Sequence, residues 1–273
     1  MTDRYAVIGN PIAHSQSPFI HAEFAKATGE DIAYERLFAE LDKFKVVVDE
    51  FVAAGAKGLN ITLPFKGDAF RYADELTERA RAAEAVNTLT FKDGKAYGDN
   101  TDGVGLTRDI AENLDFPIKG QRVLILGAGG AVRGVLVPLL EQKPSALTIA
   151  NRTLIKAEAL AHQFGQFGPI EAVGYEALAG RTFDIIINAT SSSLSNDLPP
   201  IPRGVFTPRT LAYDMVYSKG LTPFLARAQS ENAGMLADGL GMLVEQAAES
   251  FRIWRGVQPE TRAVTNLLRD LLA

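Results

Sequence analysis

The sequence predicts an α/β fold of two domains: an N-terminal α/β unit with a mostly parallel sheet, then a doubly wound nucleotide-binding unit. Three observations carry this. The 273 residues exceed what one hydrophobic core usually fills, and 47% of them are hydrophobic. Short β-rich runs alternate with helical ones through the first third. Further on, the apolar run RVLIL turns through clustered glycines straight into a helix.

Tyr5 to Gly9 reads as a buried strand, followed by the loop NPIAHSQS. Ser17 and Pro18 read as an N-cap with proline at the first helical position, and Gly29 closes that helix. The pattern repeats with a strand around Tyr34 to Phe38, a helix from Asp42 to Ala54 stopped by Gly55, and a strand from Gly58 to Thr62. Strands separated by helices favour parallel pairing. Val86 to Gly98 differs, because two strand-like runs flank Asp93-Gly94, a hairpin signal, so an antiparallel ribbon is expected to close the first domain. The spacing of Val104, Leu106, Ile110 and Leu114 predicts a helix from Gly103, broken by Pro117 and Gly120.

The second domain then reads as strand Val123 to Leu126, glycine turn and helix, strand Leu147 to Ala150, helix Thr153 to Phe164, and strands Asp184 to Ala189 and Leu211 to Met215. After Asp238 come two helices, LGMLVEQAAESFRIW and PETRAVTNLLRDLL, expected to return to the first domain. The boundaries are thus 1–101, 102–237 and 238–273.

A net charge of −5 with no dense Lys/Arg run argues against nucleic acid and anionic membranes as partners, and favours a small molecule. No stretch approaches the roughly 20 apolar residues of a bilayer span, and MTDRYAVIG runs into a strand rather than a signal sequence, so a cytoplasmic protein is expected. With no cysteine, disulfides, zinc–thiolate sites and thiol nucleophiles are excluded. His14, His21 and His162 are scattered without metal-ligand spacing, so no metal is expected. A monomer and a homodimer both remain open.

The cofactor site is predicted at Gly127, Ala128, Gly129, Gly130 and Ala131, where a turn with little side chain lets backbone N–H groups and a helix N-terminus meet a pyrophosphate. Val132 stands where the usual third glycine would be. At the end of the next strand, where an acid would accept from the adenosine ribose, the chain has Asn151-Arg152-Thr153. An acid repels a 2′-phosphate, whereas the Arg152 guanidinium can fork onto it, with Lys156 one turn later adding charge. NADP is the expected cofactor, against the plainer reading of both cations as solvated surface charges.

Four further segments, GNPIAHSQSP at 9–18, NITLPFK at 60–66, VNTL with GDNTDG within 86–103, and YSKGLTPFL with DGLGMLVEQAA within 217–248, together resemble the shikimate dehydrogenase family over nearly the whole chain. The resemblance implies an N-terminal substrate domain, a Rossmann NADP domain, a cleft between them, and reduction of the ring ketone of a small hydroxylated acid. It further implies that Ser15, Ser17 and Tyr217 hold the substrate carboxylate while Thr62, Asn87 and Gln246 contact its hydroxyls. Lys66 and Asp102 resemble the family's reaction-centre pair. A ketone receiving hydride becomes an alkoxide that needs positive potential and a proton, and a lysine ammonium offers both. Which of the two transfers the proton stays open. Thr190 and Ser191 are expected near the cofactor, with Met215 and Gly239 lining the nicotinamide pocket.

Taken singly, these residues have plainer roles: Ser17 as a helix cap, Asn87 at a strand end, Lys66 on the surface, Asp102 as a cap for the next helix. The sequence departs from the family pattern at Ile61, where valine is common, and at SSSLSNDLPP, which is poor in glycine. Two other readings share the scaffold: an NAD-using quinate/shikimate dehydrogenase, against which Arg152 argues, and a non-catalytic NADP-binding regulator, which has no use for Lys66 and Asp102 together.

Overall fold

The computed structural model describes residues 2–190 and 198–272. Two compact units emerge, Met1–Gly105 with Val244–Asn266, and Leu106–Leu243 with Leu267–Ala273. The chain thus leaves the first unit within the helix that starts at Asp102, returns to it at Val244, and ends in the second.

The first unit contains β1 (Asp3–Gly9), α1 (Ser17–Thr28), β2 (Ile32–Phe38), α2 (Phe44–Ala53), β3 (Ala56–Ile61), α3 (Lys66–Tyr72), the two-residue β4 (Glu75–Leu76), α4 (Glu78–Ala83), β5 (Thr88–Lys92) and β6 (Lys95–Asp99). Its sheet runs β2-β1-β3-β5-β6-β4. The first three strands are parallel, joined by helical crossovers; β5 pairs antiparallel with both β3 and β6. Asp93 and Gly94 make the hairpin turn at φ 53° and 74°. The ribbon does not close the sheet, because β4 adds on beyond β6 in parallel. Neither β4 nor the short α3 and α4 beside it is long enough to show a period in the sequence.

Helix α1 also begins differently from expectation. Gln16 occupies the N-cap position with helical φ/ψ, and Ser17 is already the first helical residue. Its hydroxyl is engaged with Ser15 instead of capping. Gly29 ends the helix at φ 73° as predicted.

The second unit begins inside α5 (Asp102–Arg108), which passes into a π turn at Asp109–Asn113. It continues through β7 (Arg122–Leu126), α6 (Gly130–Glu141), β8 (Ala146–Ala150), α7 (Leu154–Phe164), β9 (Glu171–Val173), β10 (Ile185–Asn188), β11 (Leu211–Asp214), α8 (Pro223–Ser230) and β12 (Met235–Asp238). All its strands pair in parallel in the order β12-β11-β10-β7-β8-β9, the doubly wound arrangement whose order reverses between β7 and β10. Strands β7 and β10 bury four consecutive positions each, as a sheet covered on both faces requires.

The chain closes with α9 (Leu240–Arg255) and α10 (Arg262–Leu272). In the first unit, Trp254 of α9 stacks on Tyr5 at 4.6 Å and donates to the Leu89 carbonyl of β5 at 3.1 Å. At the far end of α10, Arg269 forks onto Asp238 of the second unit. None of the helices among the described residues is long and apolar enough to cross a membrane.

Candidate active site

In the first unit, Lys66 and Asp102 each open a helix. Lys66 follows β3 through the turn from Thr62, whose carbonyl accepts from Phe65 N at 3.0 Å, and the Lys66 carbonyl in turn accepts from Val86 N at 3.0 Å. Asp102 follows β6, with its N–H donating to Asn100 Oδ1 at 3.1 Å and Thr101 N donating to Asn87 Oδ1 at 2.9 Å. These short loops bring Lys66 Nζ to 2.5 Å from Asp102 Oδ2, a charge-assisted bond between side chains 29% and 15% exposed. A lysine on the first residue of a helix opposes the positive end of the dipole, and the facing carboxylate offsets that cost.

The other Asp102 oxygen, Oδ1, accepts from Asn87 Nδ2 at 2.8 Å. The same amide nitrogen reaches Gln246 Oε1 of α9 at 3.3 Å. Four residues from four chain segments, Lys66, Asn87, Asp102 and Gln246, therefore meet in one hydrogen-bonded cluster. It holds a cation, a carboxylate and two amides, which is what is needed to hold hydroxyls and stabilise an alkoxide. Thr62 lies on the turn leading to Lys66, where its N–H donates to Ile8 O of β1.

Ser15 and Ser17 are brought together as expected: their hydroxyls are 3.3 Å apart, and Ser17 N donates to Ser15 Oγ at 3.3 Å. The Ser15 carbonyl accepts from Arg36 Nε at 3.1 Å and Nη2 at 2.6 Å, bracing the loop from β2, a contact the sequence reading did not anticipate. Tyr217 belongs to the second unit, where burial, and then the charge of Asp238, push its phenol pKa up.

The predicted cofactor residues also gather in the second unit. Gly127 takes φ 111° while its N–H donates to Ala150 O at 2.8 Å, and a side chain there would press on Ala189 and Thr190. Gly129 and Gly130 face open space, and α6 starts without a side-chain cap, leaving its first N–H groups available to an anion. Ala131 follows in the first turn. A cavity of about 480 Å³ is lined by the turn Gly127, Ala128 and Gly129, by Asn151, Arg152, Thr153 and Lys156, and by Thr190. Arg152 and Lys156 are exposed at the mouth, placed for a phosphate on a ribose, so these residues fit NADP. Val132 in place of glycine is fully buried.

Tyr175 of the 3₁₀ turn after β9 also lines this cavity and was not anticipated, since one tyrosine in an unpatterned segment carries no signal. Burial pushes its pKa up, opposed by the charge of Arg152. Met215 and Gly239 are not among the lining residues. They sit together beyond β11 and β12, with Met215 N donating to Asn188 O at 3.0 Å and Gly239 N to Val216 O at 3.3 Å. Thr190 caps Asn188 Oδ1 through its hydroxyl at 2.7 Å. Ser191 lies outside the described residues. A larger cavity of about 720 Å³ in the first unit, lined by Phe44, Tyr72 and Phe91, contains none of the predicted residues. Three of its lining cations are already paired, Lys45 with Asp49, Arg71 with Asp68 and Lys95 with Glu75. Among the described residues no group of three or more His, Asp or Glu is placed to hold a metal.

Residues 7–89 match the family model of the shikimate dehydrogenase substrate binding domain, 109–196 that of shikimate / quinate 5-dehydrogenase, and 239–269 that of the shikimate 5′-dehydrogenase C-terminal domain. A shikimate dehydrogenase (NADP(+)) of Chromobacterium violaceum is 81% identical over 273 residues, with 100% of each chain covered. The crystal structure of an Ael1 enzyme from Pseudomonas putida superposes with TM-score 0.95 at 53% identity, covering 98% of each chain. That of shikimate 5-dehydrogenase from Thermus thermophilus in complex with NADP(H) and shikimate gives TM-score 0.88 at 33% identity, covering 99% of this chain and 100% of that one. With its substrate-domain cluster, its glycine turn and full-length identity far above the level at which relatives are recognised, this chain belongs to the shikimate dehydrogenase family.

Proposed function

We propose that the chain catalyses the reversible reaction 3-dehydroshikimate + NADPH + H⁺ ⇌ shikimate + NADP⁺, with the 1–101 domain, together with Asp102 and Tyr217, holding the substrate, the 102–237 domain the cofactor and α9 of the 238–273 segment completing the substrate side. The observation that carries the chemistry is the Lys66–Asp102–Asn87–Gln246 cluster. Bound NADPH supplies the hydride. Lys66 then meets the developing alkoxide with positive charge and a proton, which returns to Lys66 in the reverse direction. Asp102 keeps the ammonium in place and, with Asn87, Gln246 and Thr62, takes the ring hydroxyls. Ser15 and Ser17 donate to the carboxylate, joined by Tyr217.

On the cofactor side, Gly127 to Ala131 cradle the pyrophosphate, Arg152 and Lys156 take the 2′-phosphate, and Asn151 and Thr153 shape the turn that presents them. Thr190, Ser191, Met215 and Gly239 serve the nicotinamide end. We place the protein in the cytoplasm, acting on a small molecule and not on nucleic acid, as a monomer or homodimer that light scattering distinguishes.

An absorbance assay offering shikimate and quinate, each with NADP⁺ and NAD⁺, tests the reading. Shikimate with NADP⁺ is expected to dominate. Quinate carries a further hydroxyl on the ring carbon that bears the carboxylate, and an unmatched buried polar group costs about 1–3 kcal/mol. Quinate with NAD⁺ performing as well would transfer the assignment to the quinate/shikimate branch, and no turnover with any pair would indicate a binding protein.

A further inference from the structure

We propose that Ser250, one helical turn beyond Gln246 on α9, is a positioning residue that fixes Asn87 and, through it, the Asp102 carboxylate; this rests on the reaction-centre reading above. The case comes from the direction of the hydrogen bonds beneath the cluster. Asn60 Nδ2 faces the backbone carbonyl of Asn87 at 3.2 Å, and since a carbonyl only accepts, the amide cannot be turned round. Its Oδ1 therefore accepts from the Tyr34 hydroxyl, at 2.7 Å. Asn87 is fixed in the same way, because the Thr101 backbone N–H, which only donates, lies 2.9 Å from its Oδ1. Both amide orientations are thus set by backbone groups, and the hydroxyls of Thr88, Thr101 and Ser250 lie between them.

Asn60 Nδ2 donates to Ser250 Oγ at 3.0 Å, so the Ser250 oxygen is an acceptor there. Thr88 Oγ1 lies 2.9 Å from Asn87 Oδ1 and 2.8 Å from Ser250 Oγ, a hydroxyl pair in which either can donate, and Ser250 Oγ also reaches the Gln246 carbonyl one turn back at 3.1 Å. A continuous hydrogen-bonded path then links Tyr34 to Asn60, and Asn60 through Ser250, Thr88 and Asn87 to Asp102, where Lys66 meets it from the other side. Asn60, Asn87, Thr88 and Ser250 are all buried, so water does not readily replace a missing link. Ser250 is the member of this chain that lies on α9, and its hydroxyl is the point where the returning helix sets the geometry of a site built on β3, β5 and α5. Thr101 Oγ1, at 3.3 Å from Ser250 Oγ, closes the ring.

Removing the Ser250 hydroxyl takes one partner from each of Asn60, Thr88 and Thr101, and so loosens the two hydroxyls that hold the Asn87 side chain against Asp102. A buried hydrogen bond of this kind is worth a factor of about three to ten. Ser250→Ala is therefore expected to lower kcat with shikimate about three- to tenfold while KM for shikimate and for NADP⁺ stay within about twofold. The decisive measurement is the double variant with Asp102→Asn. If Ser250 acts through Asp102, the kcat loss from Ser250→Ala disappears in the Asp102→Asn enzyme, while any loss of thermal stability is the same in both backgrounds. An equal kcat loss in both backgrounds, or an unchanged kcat in the single variant, overturns the proposal alone. Near-normal turnover of Asp102→Asn by itself overturns the reaction-centre reading and the proposal with it. Should Ser250→Ala fail to fold, Thr88→Val breaks the same chain one link nearer Asn87 and is judged by the same cycle.

Discussion

Replacing Asp102 by asparagine preserves its shape and asks what the charge does. The carboxylate accepts on both sides, from Lys66 Nζ at 2.5 Å and from Asn87 Nδ2 at 2.8 Å. An asparagine amide has one acceptor and one donor, so whichever way it turns, its NH₂ faces either an ammonium or another NH₂. The bond it loses to the charged lysine is worth about 1.5–3 kcal/mol, and the donor left facing a donor adds about 1–3 kcal/mol. The lower halves of both ranges sum to about 2.5–4 kcal/mol, or roughly 10²–10³ in rate if felt in the transition state. Turnover with saturating shikimate and NADP⁺, followed by NADPH absorbance, should fall by that factor, with KM for NADP⁺ unchanged because the Gly127 turn is untouched. Lys66→Ala should lose about 10²–10⁴-fold in kcat. The two losses should not multiply if the residues act as a unit. An Asp102→Asn enzyme within about threefold of the parent would refute the argument, since two charge-assisted contacts cannot be replaced by one amide without loss.

Three other outcomes follow from the same structure. Arg152→Ala should raise KM for NADP⁺ about ten- to a hundredfold and leave NAD⁺ almost unaffected; equal weakening of both would move its role to the adenine. Gly239→Ala puts a methyl well inside contact distance of the Met215 carbonyl, which is backbone and cannot swing aside, so kcat should fall at least about tenfold, with a stability loss of about 1–3 kcal/mol by calorimetry; normal kinetics would remove Gly239 from the site. His21 is wholly buried among Phe24, Tyr34, Phe251 and Trp254, and burial pushes its pKa down from 6.5 to about 3, only partly countered by Asn60. The unfolded chain therefore binds the extra proton between those values and stability falls as pH falls, by about 2 kcal/mol from pH 7 to pH 5. His21→Phe should abolish that part of the slope in urea melts, and an unchanged slope would mean that His21 does not carry it.

Most of the fold was legible because its signals are local. Alternating strand and helix patterns, Gly29 and Gly55 at helix ends, and Asp93-Gly94 in the hairpin act within a few residues, and the structure follows them. The misses are short or cooperative elements. Strand β4 is two residues long, and β9 and β12 are short strands in weakly patterned sequence that the flanking β6, β8 and β11 recruit. Helix α5 passes into a π turn at Asp109, whose carboxylate accepts from Tyr213 at 2.7 Å, a partner the helical spacing of Val104 to Leu114 could not reveal.

The site divides along the same line. The glycine turn, Arg152 and Lys156 could be grouped from sequence because a strand, a turn and a helix N-terminus are consecutive residues and a charge at the next strand's end belongs to the same local unit, and the structure lines one cavity with them. Lys66, Asn87, Asp102 and Gln246 were named through family resemblance, their spacing carrying no geometry of its own. Only the tertiary structure joined them, and only it showed the hydroxyls and amides of Tyr34, Asn60, Thr88 and Ser250 beneath. One warning was present, a polar Asn60 inside the apolar run of β3, since a buried amide must find partners. Which partners it finds is decided by strand register and by where α9 comes to lie, and both are set by packing among residues far apart in the chain.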